Sequence, residues 1–220
     1  MHYNAPFILP QHGDSPVVQD ISHTKHVVAD PTPFGLFGLA MVTLVASSQK
    51  LGLTSGLSLV LSWAIFLGAF VQLIACLFDF KHNNVFGATA FGAYAFFWFG
   101  VALSWMIKMG VFSEVLASQA DIKQLGFAIV GYLIFTLFMT IGAVETNKVL
   151  LAIFILIDVL FLGLIGDIFG LFPRAHTLAA WAELCIAVLS FYGSGAILLN
   201  RHFGKQFLPL GKPLGIFKAN

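Results

Sequence analysis

The sequence predicts an all-α integral membrane protein with six transmembrane helices. Three observations carry this. Of 220 residues, 59% are hydrophobic and only 10% charged, whereas an ordinary soluble domain carries about 25% charged residues. Mean hydropathy is +0.92. Six apolar stretches come close to or reach the roughly 20 residues that a helix needs to cross about 30 Å of hydrocarbon. None shows the alternation of a barrel strand, which disfavours a β-barrel.

The stretches are Phe34 to Ser48, Leu57 to Phe78, Phe86 to Ile107, Leu125 to Val144, Val149 to Leu171 and Leu178 to Leu199. The first is short and opens inside Pro31-Thr32-Pro33, where two prolines remove backbone donors and preset the direction of the helix start. The connections are polar and tight: Lys50 to Gly56, Asp79 to Asn84, Glu145 to Lys148, and Phe172 to Thr177. Lys108 to Gln124 is the longest and has room for an interfacial turn. This divides the chain into a polar, flexible N-terminal tail (1–29), a six-helix membrane domain (30–200) and a basic C-terminal tail (201–220). The first 29 residues have no apolar core of a signal peptide.

Six spans put both ends on one side. That side collects Lys25, Lys81, Lys148, Arg201, Lys205, Lys212 and Lys218, against Lys50, Lys108, Lys123 and Arg174 on the other. The excess of positive charge predicts both termini cytoplasmic in a plasma-membrane protein. Trp105 and Trp181 fall near span ends on the opposite face, where aromatic belts form.

A formal net charge of +1 without a Lys/Arg block gives no nucleic-acid partner. Cys76 and Cys185 sit in apolar stretches and read as small buried residues, with no metal-ligand spacing. His2, His12, His23, His26, His82, His176 and His202 all lie in tails or loops. No catalytic pair, metal site or cofactor is therefore expected, and an enzyme is disfavoured.

Three motifs rise above generic hydrophobic sequence. Asp30-Pro31-Thr32-Pro33-Phe34-Gly35-Leu36 opens the first span, and Gly35 permits close backbone approach. Asn84-Val85-Phe86-Gly87-Ala88-Thr89-Ala90-Phe91 leads to Tyr94 and Trp98, with Gln72 upstream. Leu199-Asn200-Arg201-His202-Phe203-Gly204 precedes Leu208-Pro209-Leu210-Gly211. Together, over residues 30 to 214, they resemble the acetate uptake transporter family (GPR1/FUN34/YaaH), whose motifs read Asn-Pro-Ala-Pro-Leu-Gly-Leu, Gly-Asn-Thr-Phe-Gly and Leu-Pro-x-Gly. Two departures stand out. Asp30 replaces an Asn and brings a negative charge to the entrance. Asn83-Asn84-Val85-Phe86 replaces Gly-Asn-Thr-Phe and loses a hydroxyl at a helix start.

The resemblance implies transport of small carboxylates, acetate and succinate among them, as an anion channel or a proton-linked permease, by a hexamer with one pathway per protomer. It implies a pore constriction at Leu39, Tyr94 and Ile157, where apolar side chains gate by excluding water and the tyrosine offers a hydroxyl donor. Asp30, Gln72, Asn84 and Thr89 are the pathway candidates, three of them neutral groups that bind a carboxylate without trapping it. Their competing use is helix–helix hydrogen bonding. A channel for neutral amides such as urea, and a carboxylate sensor without flux, are the alternative functions.

Three acids lie within the spans: Asp158 near the middle of the fifth, Glu183 in the sixth and Asp167 near the end of the fifth. Acids at such depth are expensive and often functional. Asp158 and Glu183 are the candidates for proton coupling, with burial at a helix contact as the competing role. Asp167 and Glu183 are expected at similar depth, and Gly166 and Gly170 form a small-xxx-small pair for close packing.

Overall fold

A computed structural model describes residues 28–217. The expectations for the N-terminal tail and its four histidines lie outside those residues, except at Val28 and Ala29. Six long apolar helices form: α1 (Thr32–Lys50), α2 (Ser58–Lys81), α3 (Val85–Lys108), α5 (Ile122–Ala143), α6 (Lys148–Phe169) and α7 (Ala175–His202). The interfacial turn expected after α3 is the short helix α4 (Glu114–Ser118). Among the described residues there is no strand.

Local chemistry sets the helix ends. Asp30 Oδ1 accepts from the Thr32 backbone N–H at 2.9 Å and from its hydroxyl at 2.6 Å, fixing the start of α1 around Pro31 and Pro33. Asn84 caps α3 through Gly87 N–H at 3.1 Å, so the missing Thr hydroxyl at Val85 is not needed. Asn83, where the family pattern has Gly, sits at φ +58°, a conformation that Asn tolerates. Asn147 caps α6, and Gly170 ends it at φ +64°. Gly170 is thus a terminator rather than a packing residue. The close contacts come from Gly163, against the Ala179 backbone, and Gly166, against Phe172 and Ala175. Gly35 also differs from expectation: a side-chain wall, the Phe91 ring and the Ala75 methyl, closes on it rather than another backbone.

In space the helices form a closed ring: α1 lies against α7, α7 against α6, α6 against α5, α5 against α3, α3 against α2, and α2 against α1. Phe66, Phe96, Phe127 and Phe138 are exposed on the outside of the ring. Phe91, Phe97, Phe154 and Phe161 belong to the core. Within α2, Ala64–Val71 is wound as a π-helix, a local widening frequent at functional sites. Its Gly68 receives the Trp98 ring.

Two sequence-derived boundaries shift. Asp79, assigned to a loop, is in α2 and fully buried. Arg201 and His202 belong to α7. Beyond α7 the chain folds back over the α5–α6 turn. Leu210 O accepts from Val149 N at 3.2 Å, Leu214 N donates to Val144 O at 2.9 Å, and Glu145 Oε1 accepts from Ile216 N and Phe217 N at 2.7 and 2.9 Å. Asn200 and Tyr192 hold the strap's start through Leu208 and Pro209.

Candidate solute pathway

Three cavities line up inside the ring. The first opens on the side that carries the chain ends and has a volume of about 150 Å3. Thr32, Leu36 and Leu39 of α1, Gln72 of α2, Asn84 and the face Phe86–Ala90–Phe91–Tyr94 of α3, Thr146, and Leu150–Ile153–Phe154–Ile157 of α6 form its wall. These positions recur every three or four residues, so each helix turns one face inward. We call it the terminal vestibule.

Leu39, Tyr94 and Ile157 also line the second cavity, a neck of only about 20 Å3, with Thr43, Phe97, Trp98, Leu160, Phe161 and Ile186. Phe97, Trp98 and Leu160 in turn belong to the third cavity, of about 330 Å3, on the opposite side. This far vestibule adds Lys50, Trp105, Lys108, Asp167, His176 and Glu183 to its wall. An outer hollow of about 380 Å3 shares Lys108, Ile122 and Leu125 with it and extends it outward. Trp105 therefore faces the vestibule, while Trp181 is exposed.

The polar groups on this route are unequally free. A hydroxyl has one proton. Thr136 donates its own to Tyr132 O at 2.7 Å, so in the 2.9 Å contact between Tyr94 Oη and Thr136 Oγ1 the tyrosine is the donor. Tyr94 narrows the neck with its ring, but its proton is spent on α5 and is not offered to a solute. Asn84 is partly committed: one of its two Nδ2 protons goes to Asp79 Oδ1 at 3.0 Å and Oδ1 caps α3. Gln72 donates to Gly68 O at 2.8 Å inside the π-helical turn, leaving Oε1 without a protein partner.

The other candidates scatter. Thr89 is exposed on α3 and lines none of the three cavities, so it stands apart from the route. Asp30 lies at the terminal end, where Arg201 Nη2 approaches Oδ2 at 2.9 Å and balances the charge the sequence placed there. Asp158 is buried behind the neck. Its Oδ2 accepts from Thr140 at 2.7 Å, and Oδ1 has no partner. Glu183 faces the far vestibule and takes the Lys50 ammonium at 2.9 Å. Asp167, bound to His176 Nδ1 at 2.9 Å, lines the same vestibule but is far more exposed than Glu183.

Sequence reasoning missed four participants. Lys50 was a loop charge, yet as the last residue of α1 its Cβ tilts toward the helix N-terminus, that is, into the membrane. Asp79 was hidden by the loop assignment. Thr136 and Thr140 looked like ordinary span residues. Their signal was a hydroxyl every four residues on α5, Tyr132–Thr136–Thr140, which faces the tyrosine and the acid.

Two vestibules meeting at an apolar neck inside a six-helix ring define a multi-pass membrane protein built around a narrow transverse route. Similarity agrees. A profile described as the GPR1/FUN34/yaaH family matches residues 15–209. The succinate-acetate/proton symporter SatP of Escherichia coli K12 is 34% identical over 186 residues, 84% of this chain and 96% of that one. The solved bacterial acetate channel SatP superposes with a TM-score of 0.76 at 31% identity, over 84% of this chain and 100% of the other. Acetate permease A of Emericella nidulans is 29% identical over 141 residues, 61% of this chain and 47% of the permease. The chain belongs to the GPR1/FUN34/yaaH family.

Proposed function

We propose that this protein carries acetate and related small carboxylates, succinate among them, across the plasma membrane. The observation that carries the reading is the shared neck: Leu39, Tyr94 and Ile157 border both the terminal vestibule and the constriction. Relatives named for acetate and succinate transport supply the solute class. Leu39, Tyr94 and Ile157 form the gate, which closes by excluding water from an apolar bore. Gln72 serves the terminal vestibule as the amide that meets a passing carboxyl group. Asn84 and Asp30 act as positioning residues, one holding the start of α3 and the other tying α1 to Arg201.

Proton linkage falls to Asp158. It has one oxygen free, and Thr140, which donates to the other, lies one turn along α5 from the Thr136 that meets Tyr94. Glu183, paired with the Lys50 ammonium at 2.9 Å, has no free oxygen comparable to that of Asp158 and suits a different task. Both termini face the cytoplasm, by the distribution of Lys and Arg. The protein works as a hexamer with one pathway in each protomer.

A carboxylic acid has a pKa near 4.3, so the anion dominates at pH 7 and needs a protein route. Reconstitution in liposomes tests the assignment, with acetate as solute and urea as control. Acetate flux without urea flux is the expected result. Urea flux without acetate flux overturns it in favour of a neutral-amide channel. Acetate current driven by voltage alone means a channel. Uptake that requires an inward proton gradient means a symporter.

A further inference from the structure

The neutral polar groups of the route are largely committed to the protein, which raises the question of what meets an anion before the neck. The far vestibule answers with a charged pair. Lys50 reaches in from the end of α1, and Glu183 stands eight residues into α7, about 12 Å along the helix. Their side chains are only 14% and 3% exposed, and both line the cavity.

We propose that the Lys50 ammonium is the carboxylate-binding site of the far vestibule, with Glu183 as the internal anion that limits how tightly it holds its guest. This rests on the carboxylate-transport reading. An ammonium has three donors. One goes to Glu183 at 2.9 Å, and the other two have no protein acceptor among the described residues. Tyr94, by contrast, has no proton left to give. A carboxylate arriving from the far side passes the exposed Lys108, which lines the outer hollow, and finds its most shielded cationic donor at Lys50.

The counter-ion sets the strength. A lone ammonium in a low-dielectric wall would bind an anion too firmly for conduction, which needs a site that can also release. Glu183 cancels that charge at close range and leaves the directional hydrogen bonds. Around the pair stand Lys108, Asp167 and His176. His176 joins Asp167 at 2.9 Å and the Lys50 carbonyl at 3.1 Å, which anchors the end of α1 that carries the ammonium. Glu183 also bears on solute choice. Its charge repels a dianion more than a monoanion, so it favours acetate over succinate.

The test compares the unaltered protein, Glu183→Gln, and the double variant Lys50→Gln/Glu183→Gln, which leaves two amides and no orphaned charge. Acetate and succinate flux are measured in liposomes against concentration. Acetate and its neutral isostere acetamide are titrated against tryptophan fluorescence, since Trp98 and Trp105 line the vestibule. In Glu183→Gln the half-saturating acetate concentration should fall about tenfold with a lower maximal rate, and the succinate-to-acetate flux ratio should rise. In the double variant the preference for acetate over acetamide should drop about tenfold. Half-saturation, flux ratio and acetamide discrimination unchanged within about twofold across all three proteins would overturn the proposal. Loss of the transport reading is distinguishable. If the unaltered protein moves no acetate but its fluorescence titrates with acetate and not acetamide, and the double variant loses that response, the site stands and the flux assignment falls. If acetate evokes no titration in the unaltered protein, the site falls.

Discussion

The two vestibules share a neck and almost nothing else. The terminal one is lined by side chains whose donors are turned back into the protein: Asn84 onto Asp79, Thr32 onto Asp30, Thr146 onto Ala143. The far one holds five charged or titratable groups, with Glu183 buried and Lys50 largely shielded. The difference teaches that a short route through a membrane can assign its tasks to opposite ends. One end is shaped by packing and neutral groups. The other holds the charge that, on the proposed reading, meets an anion before the neck. Between them the neck is mainly hydrocarbon and aromatic surface, and its one threonine, Thr43, turns its hydroxyl onto the Leu39 carbonyl.

If the neck is the common element, filling it should silence both ends at once. Ile157→Trp adds volume where only about 20 Å3 is free. Acetate flux in liposomes should fall by at least about tenfold, a barrier increase of roughly 1.4 kcal/mol, with unchanged reconstitution yield. Retained flux would mean that solute travels elsewhere. The next largest effect concerns Asp158, which belongs to neither vestibule. Asp158→Asn keeps an acceptor for Thr140 but cannot ionise. If the acid links proton and anion, lowering the outside pH should stimulate acetate uptake by the unaltered protein and leave the variant's uptake flat. Equal stimulation in both would assign Asp158 to packing.

Much of this frame was legible in the sequence. Six spans, their loops and the interfacial turn followed from hydropathy and polar punctuation, because a bilayer enforces continuous helices. The three neck residues came from motif correspondence, and the cavities place Leu39, Tyr94 and Ile157 side by side. Hydrogen-bond allegiance was not legible. Nothing in the order of residues tells whether Tyr94 donates to a solute or to Thr136, since that depends on which face of α5 meets α3. Lys50 was misread for a similar reason. Its position marked a loop, but the tilt of Cβ at a helix C-terminus carries the ammonium inward. Thr89 lines none of the three cavities, because helix periodicity puts a residue next to the lining Ala90 on another face.

The terminal vestibule depends on packing, so a single methyl should disturb it. A Cβ on Gly87 would land on the Asp79 carboxylate and the Asn84 amide, which together hold the start of α3. Gly87→Ala should cost about 1–3 kcal/mol, as overpacking of a tight site does. The checks are a lower melting temperature in detergent and a weaker acetate flux. A matched Gly100→Ala change, where nothing lies within 4 Å of the added methyl, should leave both unaltered. Similar losses in the two variants would show that helix substitutions in α3 act through something other than this contact.

The smallest effect is the most specific. Tyr94→Phe removes one oxygen and leaves the ring that narrows the neck. Were the hydroxyl a donor to the passing carboxylate, its loss would remove a charge-assisted hydrogen bond, and acetate flux would fall much more than flux of a neutral amide. The geometry gives the opposite expectation. The proton already belongs to Thr136, which passes its own to Tyr132. The variant should therefore lose about 1 kcal/mol of stability, the net worth of one neutral hydrogen bond. Acetate flux should stay within about threefold of the unaltered protein, less than the factor of ten that 1.4 kcal/mol of barrier would produce. Tyr94→Phe/Thr136→Val, which removes the pair while keeping its shape, separates the two accounts further. If the hydroxyl serves only to fix the ring, the double variant should recover stability lost in the single one, because no oxygen is left facing apolar surface. If the flux instead drops steeply at the first substitution and stays low at the second, Tyr94 binds the solute directly, and the neck is a binding site as well as a gate.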